Sequence, residues 1–193
     1  MIAQIRGRLI EKTPTYAIID CNGVGYQLNI SLNTYGKIGK EENCKLYAQL
    51  IVREDAQLLY GFFDQSEKQL FQLLISVSGV GAATALTVLS SGTPAEVSEA
   101  IVSGDVSWFK SVKGIGPKSA QRIIIDLKDK VGVGLEMDNI SDSGDNTVKE
   151  EALSALVMLG FNKNQAEKTI GRILKNNSDY GVEEVIKQAL KGL

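Results

Sequence analysis

The residues best placed to do chemistry lie in two short stretches of one pattern: Val77-Ser78-Gly79-Val80-Gly81-Ala82-Ala83 and Val112-Lys113-Gly114-Ile115-Gly116-Pro117-Lys118. Each reads as an apolar helix, a Gly-apolar-Gly turn and a new helix. Gly79 and Gly114 are expected to stop a helix as C-cap glycines do. Gly81 and Gly116 keep side chains away from whatever approaches the turn. The helix that follows opens with backbone N–H groups lacking intrahelical acceptors, and such an end favours phosphate. Ser119 sits in that first turn. Lys118 and Arg122, one helical turn apart, add positive charge on one face beside it. The chemistry this spacing suits is anion binding, not bond making.

The pattern resembles the helix-hairpin-helix motif, which binds nucleic-acid backbones without reading sequence. A single such turn is equally an ordinary helix corner. Two copies in one chain, the second continuing Pro117-Lys118-Ser119-Ala120-Gln121-Arg122, favour the phosphate reading.

Composition removes several alternatives. The chain has 193 residues and no histidine, so Ser-His and Cys-His catalysis and histidine metal sites are absent. Cys21 and Cys44 have no Cys-x-x-Cys partners and read as free thiols, buried and without a metal. There is no Gly-x-x-x-x-Gly-Lys-Ser/Thr phosphate loop. Gly23-Val24-Gly25 and Gly132-Val133-Gly134 lack the rest of a dinucleotide fingerprint. No apolar run reaches membrane-span length, and the first residues alternate as a strand does, so the expected location is the cytoplasm. Net charge is −2. The deficit lies in 132–147, which holds four acidic and no basic residues. The remainder is near neutral and can bind a polyanion if its positive groups share a face.

The elements that must position the turns follow in order. Residues 1–62 read as five short strands, 2–10, 15–20, 24–30, 44–52 and 57–62, separated by Thr13-Pro14, Asn22-Gly23 and the stretch from Gly36 to Asn43. This predicts a small barrel of the OB type, with an SH3-like barrel as the alternative. At its last hairpin, Glu54 and Asp55 read, on the residues alone, as a solvated turn. Residues 63–131 read as five helices carrying both glycine turns, with capping boxes at Asp64–Glu67 and Thr93–Glu96. Trp108 is expected in the core or at a domain contact. Residues 132–147 read as a flexible acidic linker. Residues 148–193 read as three helices resembling the ubiquitin-associated fold, with a capping box at Thr147–Glu150. Leu159 and Leu190 are placed on inward stripes, and Gly160 ends the first helix. The fold class is therefore multidomain α+β.

Val52-Arg53-Glu54-Asp55-Ala56-Gln57-Leu58-Leu59-Tyr60-Gly61-Phe62, the two glycine turns, the acidic stretch and the three-helix tail, in this order, resemble the RuvA family across essentially the whole chain. Its members are Holliday junction-binding subunits of a bacterial branch-migration complex. The resemblance implies a fourfold tetramer built on the barrel, one or two tetramers per four-way junction, and the cytoplasm as setting. It implies sequence-independent DNA binding in recombination, repair and the SOS response through Gly79, Val80, Gly81, Ala82, Ala83, Gly114, Ile115, Gly116, Lys118, Ser119 and Arg122. It makes Glu54 and Asp55 an acidic pin, about eight carboxylates in a tetramer, that repels phosphates at the crossover. It implies that the third domain, with Leu159, Gly160, Phe161 and Ile170 at its contact, recruits and stimulates the hexameric ATPase RuvB, with the resolvase RuvC in a larger complex. No cofactor, metal or active site of its own is implied. One departure stands out: many relatives carry Pro-Lys after the second glycine of the first hairpin, where this chain has Ala82-Ala83.

Two other classes fit the turns alone. A helix-hairpin-helix repair enzyme would need Asp126 or Lys118 in catalysis. A single-strand binder would use the barrel, whose strands offer few stacking aromatics.

Overall fold

The computed structural model describes residues 2–39, 43–134, 144–177 and 180–192. The chain divides into two compact units, Met1–Asp138 and Asn139–Leu193.

The first unit begins with β1 (Gln4–Lys12), β2 (Tyr16–Cys21), β3 (Val24–Ile30), β4 (Asn43–Val52) and β5 (Gln57–Phe62). They close into a barrel in the order β1-β2-β3-β5-β4, with β1 also pairing with β4. All pairs are antiparallel except β3–β5. This crossover decides between the two barrel types in favour of the OB type. Alternate residues such as Ile5, Ile19, Leu28 and Leu46 fill its core. Asn22 and Gly23 both take positive φ in the β2–β3 turn, as its sequence demands. Cys44 is buried, whereas Cys21 is only partly so and donates to the Arg6 carbonyl at 3.2 Å.

The β3–β4 connection differs from expectation. It holds a short helix, α1 (Leu32–Lys37), capped by Ser31 Oγ, which accepts from the Thr34 N–H at 3.0 Å. Gly36 lies inside this helix rather than opening a turn.

Five helices follow: α2 (Gln65–Ser76), α3 (Ala82–Ser91), α4 (Pro94–Ser103), α5 (Val106–Ser111) and α6 (Pro117–Gly134). Their core gathers Phe71, Leu74, Leu89, Ile101, Phe109, Ile123 and Leu127. Tyr60 and Phe62 of β5 belong to the same cluster, their rings 5.0 and 4.9 Å from that of Phe71. Trp108 packs against this cluster, edge-on to Phe109 at 4.9 Å.

The two expected capping boxes part company. Thr93 and Glu96 form theirs in full, the Thr93 N–H donating to Glu96 at 2.7 Å. Asp64 makes no side-chain cap; it pairs with Lys37, and Glu67 turns inward to accept from Ser31 and Thr34. The two buried hydroxyls need an acceptor, and that need outweighs a solvent-exposed cap.

The acidic stretch expected as a linker overlaps helices at both ends. Helix α6 continues to Gly134, and α7 (Gly144–Met158) starts at Gly144; 135–143 lie outside the described residues. Thr147 is therefore inside α7 and does not cap it. An N-cap preference of about 1 kcal/mol is too small to fix a helix boundary by itself.

In the second unit, α7 packs with α8 (Lys163–Asn176) and α9 (Val182–Gly192) around Ala152, Leu156, Ala166, Ile170, Val185 and Ala189. Asn162 caps α8, accepting from the Asn164 and Gln165 N–H groups. Leu159 and Leu190, expected inside, are exposed. Helix α7 ends at Met158, and Gly160 at φ 94° turns the chain so that Phe161 packs against the core instead.

Candidate nucleic-acid interface

The two glycine turns have the same backbone. Helix α2 ends with Val77 at φ −78°, ψ 124°, and α5 with Val112 at φ −78°, ψ 126°. In each, the residue three positions on donates back across a turn: Val80 N–H to the Val77 carbonyl at 3.0 Å, and Ile115 N–H to the Val112 carbonyl at 3.2 Å. Gly79 and Gly114 occupy the third place of these turns at φ 90° and 91°, which L side chains rarely adopt. They are turn glycines, not the C-caps expected, because Val77 and Val112 already end the helices. Gly104 and Gly160 are positive-φ glycines at helix C-termini: the Asp105 N–H reaches back to the Ala100 carbonyl at 2.9 Å, and the Phe161 N–H to the Leu156 carbonyl at 3.1 Å.

Gly81 and Gly116 behave differently. Gly81 caps α3 in ordinary extended backbone, φ −83°, ψ 167°. A Cβ at either Gly81 or Gly116 would meet nothing within 4 Å. The protein's own packing therefore does not require glycine there. The space lies on the outside, above the opening turns of α3 and α6. The Gly81 and Gly116 carbonyls take the Ala85 and Ala120 N–H groups at 2.9 Å, and earlier N–H groups have no intrahelical acceptor.

Of the expected contact residues, Val80, Ile115 and Ala82 are buried, at 5, 7 and 5% exposure. The side chains of Val80 and Ile115 anchor each turn in the core, so only their backbones can meet a ligand. Lys118, Ala83 and Arg122 are exposed, and Ser119 partly so. The Arg122 guanidinium donates to the Ser78 carbonyl at 3.3 Å, tying the second motif to the first turn. A shallow open depression results, lined by Ser78, Gly79, Lys118, Ser119, Gln121 and Arg122. Ile125 and Asp126 complete it, Ile125 at 76% exposure. Ser78, Gln121 and Ile125 were not among the expected site residues, and Asp126 was expected only under the repair-enzyme alternative. The helical spacing from Lys118 could have found Gln121 and Ile125; nothing local marks Ser78.

Glu54 and Asp55 stand exposed at the β4–β5 tip, where the Arg53 N–H donates to the Ala56 carbonyl at 2.8 Å. Among the described residues, neither carboxylate has an ion-pair partner within 4 Å, and no cluster of three acidic or cysteine side chains could hold a metal. No described helix is long and apolar enough to cross a membrane.

In the second unit, Leu159 is 61% exposed beside Met158 at 87%. Gly160 forms the turn, and Phe161 is partly buried against the core. Ile170, expected at a partner contact, is fully buried. It holds the three helices together and cannot face a partner.

The barrel and the paired turns define a tandem helix-hairpin-helix protein carried on an OB-type barrel. The family described as RuvA N terminal domain matches residues 1–61, a SAM-like helix-hairpin-helix tandem matches 71–129, and RuvA, C-terminal domain matches 147–193. Proteins named Holliday junction branch migration complex subunit RuvA, from Flavobacterium psychrophilum and Christiangramia forsetii, are each 54% identical over 193 residues, covering all of both chains. One of the same name from Bacteroides thetaiotaomicron is 49% identical over 201 residues, again covering all of both chains. The chain belongs to the RuvA family.

Proposed function

We propose that this protein binds four-way DNA junctions as a homotetramer, without reading sequence, and is the non-catalytic subunit of a cytoplasmic branch-migration complex. The observation that carries this reading is the open space above Gly81 and Gly116, which internal packing does not need. A backbone ligand can approach there to within hydrogen-bonding distance of the helix N-termini, while Lys118 and Arg122 supply charge. Contacts of this kind go to phosphates alone, so the DNA can slide. The exposed Glu54–Asp55 tip supports the rest: four copies around a symmetry axis would gather negative charge at the crossover and hold the arms apart. The three-helix unit, with Leu159 and the Gly160–Phe161 turn at its surface, is the part we assign to recruiting and stimulating the RuvB ATPase, and the resolvase RuvC can join the assembly. The domains we assign are the barrel 1–62, the hairpin domain from 63 to the end of α6 at Gly134, and the motor-binding unit from the start of α7 at Gly144 to 193, so that 132–134 and 144–147 pass from the expected linker to the helices that hold them.

A mobility-shift comparison of four-way junction, duplex and single strand, at two salt concentrations, tests this. Junction should bind tightest and lose affinity steeply with salt. Preference for single strands would return the barrel to the leading role. Strand cleavage by the protein alone would instead place Asp126 and Lys118 in a catalytic site.

A further inference from the structure

Helix α1 touches both ends of the helix pair that carries the first glycine turn. The α2 start is held by Glu67, which accepts from Thr34 Oγ1 at 2.7 Å and from Ser31 Oγ. Thr34 Oγ1 in turn accepts from the Phe63 N–H at 2.9 Å. The α3 end is held by Asn33, whose amide donates to the Leu89 and Gly92 carbonyls at 2.5 and 2.6 Å. The turn itself lies at the opposite end of both helices. Helix α2 has 12 residues, a lever of about 18 Å, so a tilt of about 10° at α1 would displace the turn by about 3 Å.

The chemistry of this joint does not suit a stability device. The aromatic contacts of Tyr60 and Phe62 with Phe71 already join barrel to helices, and apolar contact is non-directional. Glu67 is a fully buried carboxylate, and burying a charge usually costs as much as its hydrogen bonds return. Directional bonds from three polar side chains fix an angle, which apolar packing does not.

We infer that α1 is a positioning strut: Asn33 and the Thr34–Glu67 pair set the placement of the first hairpin relative to the Glu54–Asp55 tip, and so the preference for a junction over plain duplex. This rests on the proposed function. Duplex needs only the hairpins, whereas a junction must satisfy several hairpins and the tip at once, so a misplaced hairpin loses the gain from simultaneous contacts.

The test is Asn33→Ala in the full chain, with Thr34→Val and Thr34→Ser as a second pair, measuring dissociation constants for junction and for duplex of equal arm length. Asn33→Ala and Thr34→Val should weaken junction binding about tenfold and duplex binding less than about twofold, and Thr34→Ser, which keeps the hydroxyl, should restore the ratio. A folded Asn33→Ala protein with an unchanged ratio, or with equal losses on both DNAs, overturns the strut. Lys118→Glu is run alongside. If it leaves junction affinity unchanged, the hairpin assignment itself is wrong and the strut falls with it; if it weakens both DNAs, a null result at Asn33 counts against the strut alone.

Discussion

After the first glycine turn the helix opens with Ala82 and Ala83; after the second, with Pro117 and Lys118. The turns beneath them differ by 2° in the ψ of the capping valine and by 1° in the φ of the glycine. Thr87 on α3 stands where Arg122 stands on α6, and its hydroxyl is spent on the Ala83 carbonyl at 2.9 Å. The motif thus separates into two parts. A backbone frame, built from a positive-φ glycine and a buried Val or Ile, occurs twice. A cationic overlay occurs once. The charge of the second motif is shared with the first, because Arg122 reaches the Ser78 carbonyl.

Charge reversal is the strongest way to break the comparison. Lys118→Glu should lower junction affinity on the order of a hundredfold at moderate salt, with the fold intact and a shallower salt dependence. Ala83→Glu, at the matching place, should cost less, since no existing cation is lost. The reciprocal Ala83→Lys should tighten binding and steepen the salt slope by roughly one counterion per hairpin. Equal losses for Lys118→Glu and Ala83→Glu, read by titration at several salt concentrations, would mean that the asymmetry of charge carries no consequence.

Within each hairpin the two glycines invite a second comparison. Gly114→Val forces a branched side chain to positive φ and should cost about 1–3 kcal/mol of stability. Gly116→Val meets open space and should leave the thermal midpoint nearly unchanged, yet block the approach of a backbone and weaken junction binding about tenfold. Thermal melts and binding isotherms on the same preparations check both. If Gly116→Val destabilises while binding holds, the space above it has no ligand.

The parts of this site that were legible in sequence are those fixed by short-range rules. Gly79 and Gly114 announce a turn because no other residue sits comfortably at their φ, and Thr93–Glu96 closes a cap within one helical turn. What was not legible depends on partners far along the chain. Glu67 carries the same local signature as Glu96, but its hydrogen-bond partners Ser31 and Thr34 lie 36 and 33 residues back. Helix α1 hid behind Gly36, and its signal was the single cap residue Ser31. The Arg122–Ser78 contact spans 44 residues, so helical spacing placed Arg122 on the right face without naming its acceptor. Leu159 fits the apolar period of α7 and is exposed all the same, because the helix stops one residue before it.

The lead-in helices to the two turns offer the mildest perturbation. Helix α2 starts with Glu67 buried against the barrel; α5 is capped by exposed Asp105, which accepts from the Trp108 N–H at 3.0 Å. Burial pushes the Glu67 carboxyl above the ordinary glutamate value, against the hydrogen bonds from Ser31 and Thr34 and the charge of Lys37, with Asp64 adding to the rise. A carboxyl raised in the folded state binds protons more tightly there than when unfolded. Its contribution to stability is therefore complete below about pH 4.3, the unfolded value, and is lost as pH rises through the folded one. Glu67→Gln cannot titrate. The stability of the native sequence minus that of Glu67→Gln, from urea unfolding across pH 4 to 8, should fall with rising pH and then level off. Glu96, whose carboxylate is held below its usual range by the Thr93 N–H, acts in the opposite sense, but it is common to both proteins and cancels. If the Glu67 difference stays flat across the range, the carboxyl ionises as freely as one in water, and the joint beneath the first hairpin is wetter than its burial implies.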